Sequence, residues 1–129
     1  MKLGYTIIYV DNVEATIARF ETAFGLTRKF VTPEGDYGEL LTGETTLSFA
    51  EREFGRSHFT DPVTRASFDG TPNRFELGFV TEDVQAAWDT AVASGFVAVV
   101  SPIKKSWGQI VGWVRDPEGI LVELASAME

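Results

Sequence analysis

The feature that most restricts this chain is that it is written twice. Tyr5-Thr-Ile-Ile-Tyr-Val-Asp-Asn-Val13 lines up with Glu76-Leu-Gly-Phe-Val-Thr-Glu-Asp-Val84. Val13 matches Val84 and Ala15 matches Ala86, both 71 positions apart; Leu47-Ser-Phe-Ala50 matches Val122-Glu-Leu-Ala125 at 75. Few residues are identical, but the order holds over nearly the whole chain. A repeat of this length means one supersecondary unit used twice, each copy too small to bury its apolar face in several layers.

Each copy reads as a strand, a helix and three strands. Leu3–Val10 is rich in Ile, Val and Tyr, which suit a pleated, half-buried surface. Asp11 with Glu14 three residues on resembles a capping box, and Val13, Ile17, Phe20 and Phe24 form one apolar helical face before Gly25. Arg28–Thr32, Tyr37–Leu41 and Thr45–Ala50 read as strands, parted by Pro33–Asp36 and Thr42–Glu44. In the second copy Phe75–Val80 is the strand and Asp83 the cap. Val84, Trp88 and Ala91 make the helix face, and Gly95 the stop. Val97–Val100, Gln109–Val114 and Ile120–Ala125 close it, the last entered through Asp116-Pro-Glu-Gly119, whose proline presets φ.

The expected fold is therefore α+β: two βαβββ repeats, residues 3–50 and 75–125, forming curved, antiparallel-rich mixed sheets around a cavity with the helices outside. The connector, residues 51–74, is polar with no sustained period, so it reads as a loop joining the repeats or as a lid. Its arginines, Arg52, Arg56 and Arg65, read as solvated charges rather than contacts for an anionic substrate.

Bulk properties remove several classes of function. With 129 residues the chain fits one domain, and a formal charge of −8 opposes the counterion displacement on which nucleic-acid binding depends. No apolar run is long enough to span a membrane, and the N-terminus carries no signal-peptide pattern. The absence of cysteine removes disulfides and thiolate chemistry; the expected location is the cytoplasm.

With these segments in place, the chain resembles the vicinal oxygen chelate superfamily, which includes glyoxalase I, extradiol dioxygenases and the fosfomycin- and bleomycin-resistance proteins. The likeness rests on Tyr5–Val13 through Phe24-Gly-Leu26, on Glu76–Val84, and above all on Val114-Arg-Asp-Pro-Glu-Gly-Ile-Leu-Val-Glu-Leu124. In metal-using members the first and last strands of each repeat supply the ligands, commonly two histidines and two glutamates. The resemblance puts Tyr5, Ser48, Glu76 and Glu123 at those positions. Only Glu123 keeps its usual identity. Strand alternation agrees, since Leu47 and Phe49 share one face, as do Val122 and Leu124, which leaves Ser48 and Glu123 on the other.

Without imidazole this set is poor for zinc, iron, nickel or copper; its oxygens suit at most a weakly held Mg²⁺ or Mn²⁺. The single histidine, His58, lies in the connector and reads as a surface residue. The expectation is thus no resident cofactor, and a small-molecule ligand bound by Tyr5, Ser48, Glu76, Glu123 and the loop or strand tryptophans Trp107 and Trp113, with Tyr9 and Tyr37 as further aromatic walls. Trp88 belongs to a helix face.

Two readings follow. The first is a metal-free binding protein like those that sequester drugs, its acidic cavity favouring cationic or aromatic ligands. The second is a lyase, isomerase or oxygenase using Glu76 and Glu123 as an acid/base pair or with a hard metal ion. The resemblance implies a homodimer, with the repeats pairing within the chain or across the dimer.

Overall fold

A computed structural model describes residues 3–70 and 75–127. The chain divides into two compact units, Met1–Gly70 and Thr71–Glu129. Residues 71–74, the end of the expected connector, lie outside the described residues.

The first unit runs β1 (Tyr5–Val10), α1 (Val13–Phe24), β2 (Thr27–Val31), β3 (Tyr37–Leu41), β4 (Thr46–Glu51), α2 (Arg52–Arg56) and α3 (Pro62–Ala66); the second runs β5 (Leu77–Val80), α4 (Val84–Ala93), β6 (Val97–Lys104), β7 (Ile110–Arg115) and β8 (Leu121–Ala125). Each unit holds one four-stranded mixed sheet. The orders β1-β4-β3-β2 and β5-β8-β7-β6 are the same order. In both, the first strand pairs in parallel with the last and the other neighbours are antiparallel. The α+β repeat read from the sequence is the fold.

One face of each sheet is dry. Ile8, Val10, Leu40, Leu47 and Phe49 are buried with Val13, Ile17 and Phe20 of α1; Val114, Val122 and Leu124 are buried with Val84 and Ala91 of α4. Contact between helix and sheet is closest at a glycine. A Cβ on Gly38 would overlap Ile17 Cδ1, and one on Gly112 would come within 3.1 Å of Trp88 Cδ1 and Pro102 Cγ. Gly38 faces Phe49 and Gly112 faces Leu124 across their ladders, and Trp88 stands 71 residues after Ile17, so this is one contact built twice. Trp88 also donates its indole N–H to the Trp113 carbonyl at 3.1 Å. Arg28 ties β2 to the helix through Glu14 at 2.7 Å and Glu21 at 2.9 Å.

Local signals were read correctly at Gly25, which ends α1 with φ 66°, and at Asp83, which caps α4 by accepting from Ala86 N. The first cap is a correction. Asn12, not Asp11, accepts from the Ala15 amide at 2.9 Å, and Asp11 pairs instead with Arg52 at 3.1 Å. β6 runs to Lys104, four residues past its expected end, with two irregularities that keep it paired to β7 around Pro102.

The connector is a second correction, because it holds α2 and α3. Their short helices were invisible to periodicity, and their arginines are staples rather than solvated charges. Arg52 donates to the Phe68 carbonyl at 2.7 Å, Arg65 to the carbonyls of Arg56 and Phe59, and Arg56 pairs with Glu53 and Asp69. His58 stacks edge-on against Phe54, with 4.8 Å between ring centroids. No helix among the described residues is long and apolar enough to cross a membrane.

Gly38→Ala forces Ile17 off a well-packed position, so it should lower stability by about 1–3 kcal/mol in urea denaturation. Gly112→Ala, with more clearance, should cost less. Equal costs would contradict the packing described here.

Candidate functional site

The face of each sheet away from its helix carries the polar residues. In the first unit the β1–β4 register sets Tyr5 opposite Thr46 and Ile7 opposite Ser48, and β3 adds Tyr37 and Glu39 to that face. Ser48 is fully buried, whereas Tyr5 is 60% exposed. The Tyr37 hydroxyl donates to Glu39 Oε2 at 2.6 Å and is hydrogen-bonded to Ser48 Oγ at 3.0 Å; Lys29 approaches Glu39 at 3.5 Å. Burial pushes the Tyr37 phenol above its ordinary pKa and the bond to Glu39 adds to this, while the bond to Ser48 opposes it. Glu39 is the member of this cluster that the sequence did not single out. Its one signal was alternation, which places it beside Ser48 in the antiparallel ladder.

In the second unit Gly78 faces Glu123, as Ile7 faces Ser48, so Glu76 stands where Tyr5 stands in the first. Trp113 is the antiparallel neighbour of Glu123 and donates its indole N–H to Glu76 Oε2 at 2.8 Å. Lys105 lies over the Trp113 ring, 5.4 Å from its centroid. The Glu123 carboxyl is pushed above the usual carboxylate range, first by burial, then by its hydrogen bond to Glu76 and that residue's charge; Lys105 acts the other way. Two carboxyl groups held this closely resist joint ionisation, so they share a proton readily.

Three of the expected ligand-binding residues thus come together: Glu76, Trp113 and Glu123. Tyr5 and Ser48 occupy the equivalent face of the first unit. Tyr9 does not stand open as an aromatic wall, since it packs edge-on against Phe68 at 4.6 Å. Trp107 is not part of the Glu76 group either. Its indole donates to Gln109 at 2.8 Å, and it lines a separate cavity of about 600 Å³ with Val80, Thr81, Glu82, Gly108, Gln109, Ser126 and Ala127.

The donors do not fit the family's metal. Ser48 Oγ is committed to Tyr37 and Glu76 accepts from Trp113, and no imidazole stands beside them. Among the described residues no three of His, Asp or Glu gather as metal ligands.

A sequence model of the Glyoxalase/Bleomycin resistance protein/Dioxygenase superfamily matches residues 2–124. The chain belongs to this superfamily. The match takes in the turn Asp116–Gly119, in which the buried Asp116 accepts from the Glu118 amide at 2.7 Å. No functionally curated protein matches the chain significantly. Among solved structures, a glyoxalase/bleomycin resistance protein/dioxygenase family enzyme from Burkholderia phytofirmans PsJN superposes with a TM-score of 0.82 at 20% identity, covering 98% of both chains. A glyoxalase-related enzyme from Fulvimarina pelagi gives 0.84 at 16%, covering 98% of this chain and 88% of its own. A protein of unknown function from Agrobacterium tumefaciens gives 0.76 at 19%, covering 98% and 94%. At such identities the likeness carries the fold and leaves the activity open.

Because Glu123 titrates above its unfolded value, the stability it contributes is present below the unfolded pKa and is lost as pH rises through the folded one. Glu123→Gln should therefore raise the melting temperature at pH 7. The gain should vanish as the pH falls toward the ordinary glutamate range. A gain of constant size across that range would contradict the shared proton.

Proposed function

We propose that the chain is a metal-free small-molecule-binding protein, akin to the drug-sequestering members of its superfamily, that takes ligands with a cationic group on an aromatic body. The observation that carries this reading is the Glu76–Glu123 pair beside the Trp113 indole. A cation entering the pair displaces the shared proton and relieves the repulsion between the carboxylates, while the aromatic body lies against the tryptophan. The formal charge of −8 supports attraction of such ligands.

A panel of cationic aromatic compounds, titrated while tryptophan fluorescence is recorded, tests the reading. Binders should quench Trp113, weaken as the pH drops through the raised Glu123 pKa, and lose about tenfold in affinity in Glu123→Gln. Affinity independent of pH and unchanged in that variant would sink it. The same raised carboxyl supports a second reading, an enzyme in which Glu123 gives or takes a proton at a bound substrate. Turnover with a pH profile set by Glu123 would favour that one.

The homodimer expected from the family is also proposed. β6 is an edge strand that leaves Val97, Val99, Val100 and Ile103 between 41% and 53% exposed, an apolar edge suited to association. Sedimentation velocity should show a dimer that Val100→Lys weakens; a monomer at all concentrations would remove it.

A further inference from the structure

The internal repeat shows what the cavity around Trp107 is missing. In the first unit Tyr9, Val10 and Asp11 close the parallel pair at its C-terminal end, and β4 continues into Arg52. Arg52 folds back there. Its Nε pairs with Asp11 at 3.1 Å, its side chain is only 15% exposed, and another of its nitrogens reaches the Phe68 carbonyl at 2.7 Å. Phe68 packs edge-on against Tyr9, 4.6 Å between ring centroids.

The ladders fix the counterparts in the second unit. Tyr9 faces Ala50 as Val80 faces Ala125, so Val80, Thr81 and Glu82 stand for Tyr9, Val10 and Asp11. Counting on from Ala50 and Ala125, Ala127 stands for Arg52. The acidic residue is kept while the arginine is cut back to a methyl group. Glu82 makes no ion pair among the described residues, and Val80 is 71% exposed. Where the first unit seats its own guanidinium, the second has a cavity of about 600 Å³ bounded by Glu82 and Ala127, with Trp107 as a wall. Gln109 holds the Trp107 indole by its N–H at 2.8 Å and leaves the ring face for a ligand.

We propose that this cavity is a second ligand site, distinct from the Glu76–Glu123 pair, that binds a small guanidinium or amidinium compound with an apolar body. The cation takes the place of Arg52 against Glu82, and the apolar body lies against Trp107 and Val80. A planar, weakly hydrated cation meets both a carboxylate and an indole face better than a compact ammonium does.

Benzamidine is the probe, with neutral benzamide as its isostere, titrated calorimetrically against the full chain. Benzamidine should bind and benzamide should bind at least tenfold more weakly. Glu82→Gln should cost about tenfold, and Ala127→Arg, which rebuilds the first unit's own plug, should abolish binding. Because benzamidine is also a cationic aromatic compound that the Glu76–Glu123 pair would take, the titrations are made in a Glu123→Gln background, and the losses in Glu82→Gln and Ala127→Arg there separate this site from the one proposed above. Glu82 and Ala127 are surface positions, and unchanged melting curves in both variants confirm that the fold is intact. In that background, equal affinity for the two compounds, no heat at millimolar benzamidine, or binding that survives Ala127→Arg would overturn the proposal.

Discussion

A large side chain of each helix seated on a glycine of each sheet is the contact on which the rest depends. Ile17 over Gly38 and Trp88 over Gly112 bring the helix close enough to exclude water from one face of four strands. Once that face is dry, strand alternation consigns every second residue to the other. The parallel pairing of first and last strands then sets Ser48 beside Ile7 and Glu123 beside Gly78. The polar residues at these positions are consequences of packing on the opposite side. That is why a frame of this kind tolerates changes in its site without changes in its fold.

What was legible in the sequence follows from this division. Period and caps report on the dry face, so the strands, α1, α4 and the repetition of one βαβββ plan could be read from apolar spacing and turn residues. The open face has no periodic constraint of its own. Glu39 and Tyr37 join Ser48 only because a β-ladder places them there, and nothing in their local sequence announces a hydrogen-bonded cluster. Trp107 stands apart from Glu76 for a related reason. It follows Lys105 in a tight turn, and while Lys105 reaches the Trp113 ring, Trp107 is fixed by Gln109 at a different cavity. The connector hid α2 and α3 because five-residue helices show barely more than one turn of any pattern. The first cap slipped by one residue since Asp11 and Asn12 are both good caps, and Arg52, distant in sequence, claims the aspartate.

The two copies have diverged in chemistry while keeping their geometry. At the open face the first has a phenol, a hydroxyl and a single carboxylate neutralised in part by Lys29, so its acidic group is committed internally. The second concentrates two carboxyl groups and an indole, with Lys105 too weak a counterweight to return Glu123 to its ordinary range. The open faces of the two halves therefore differ in charge as well as in residue type. The first half satisfies its acid internally, and the second holds two neighbouring carboxyl groups.

The same asymmetry recurs at the sheet ends, and there the chain supplies its own control. Asp11 and Glu82 are equivalent acids on equivalent strands, yet one is matched by Arg52 and the other faces Ala127. If an acid at this place were needed only to shape the loop before the helix, Asn12 and Asp83 would already suffice, because they cap α1 and α4 without help from either acid. The acidity at Asp11 faces a guanidinium; Glu82 has no arginine at the equivalent place and makes no ion pair among the described residues. On the proposal above, one backbone geometry serves an internal ion pair in the first unit and a recognition element in the second.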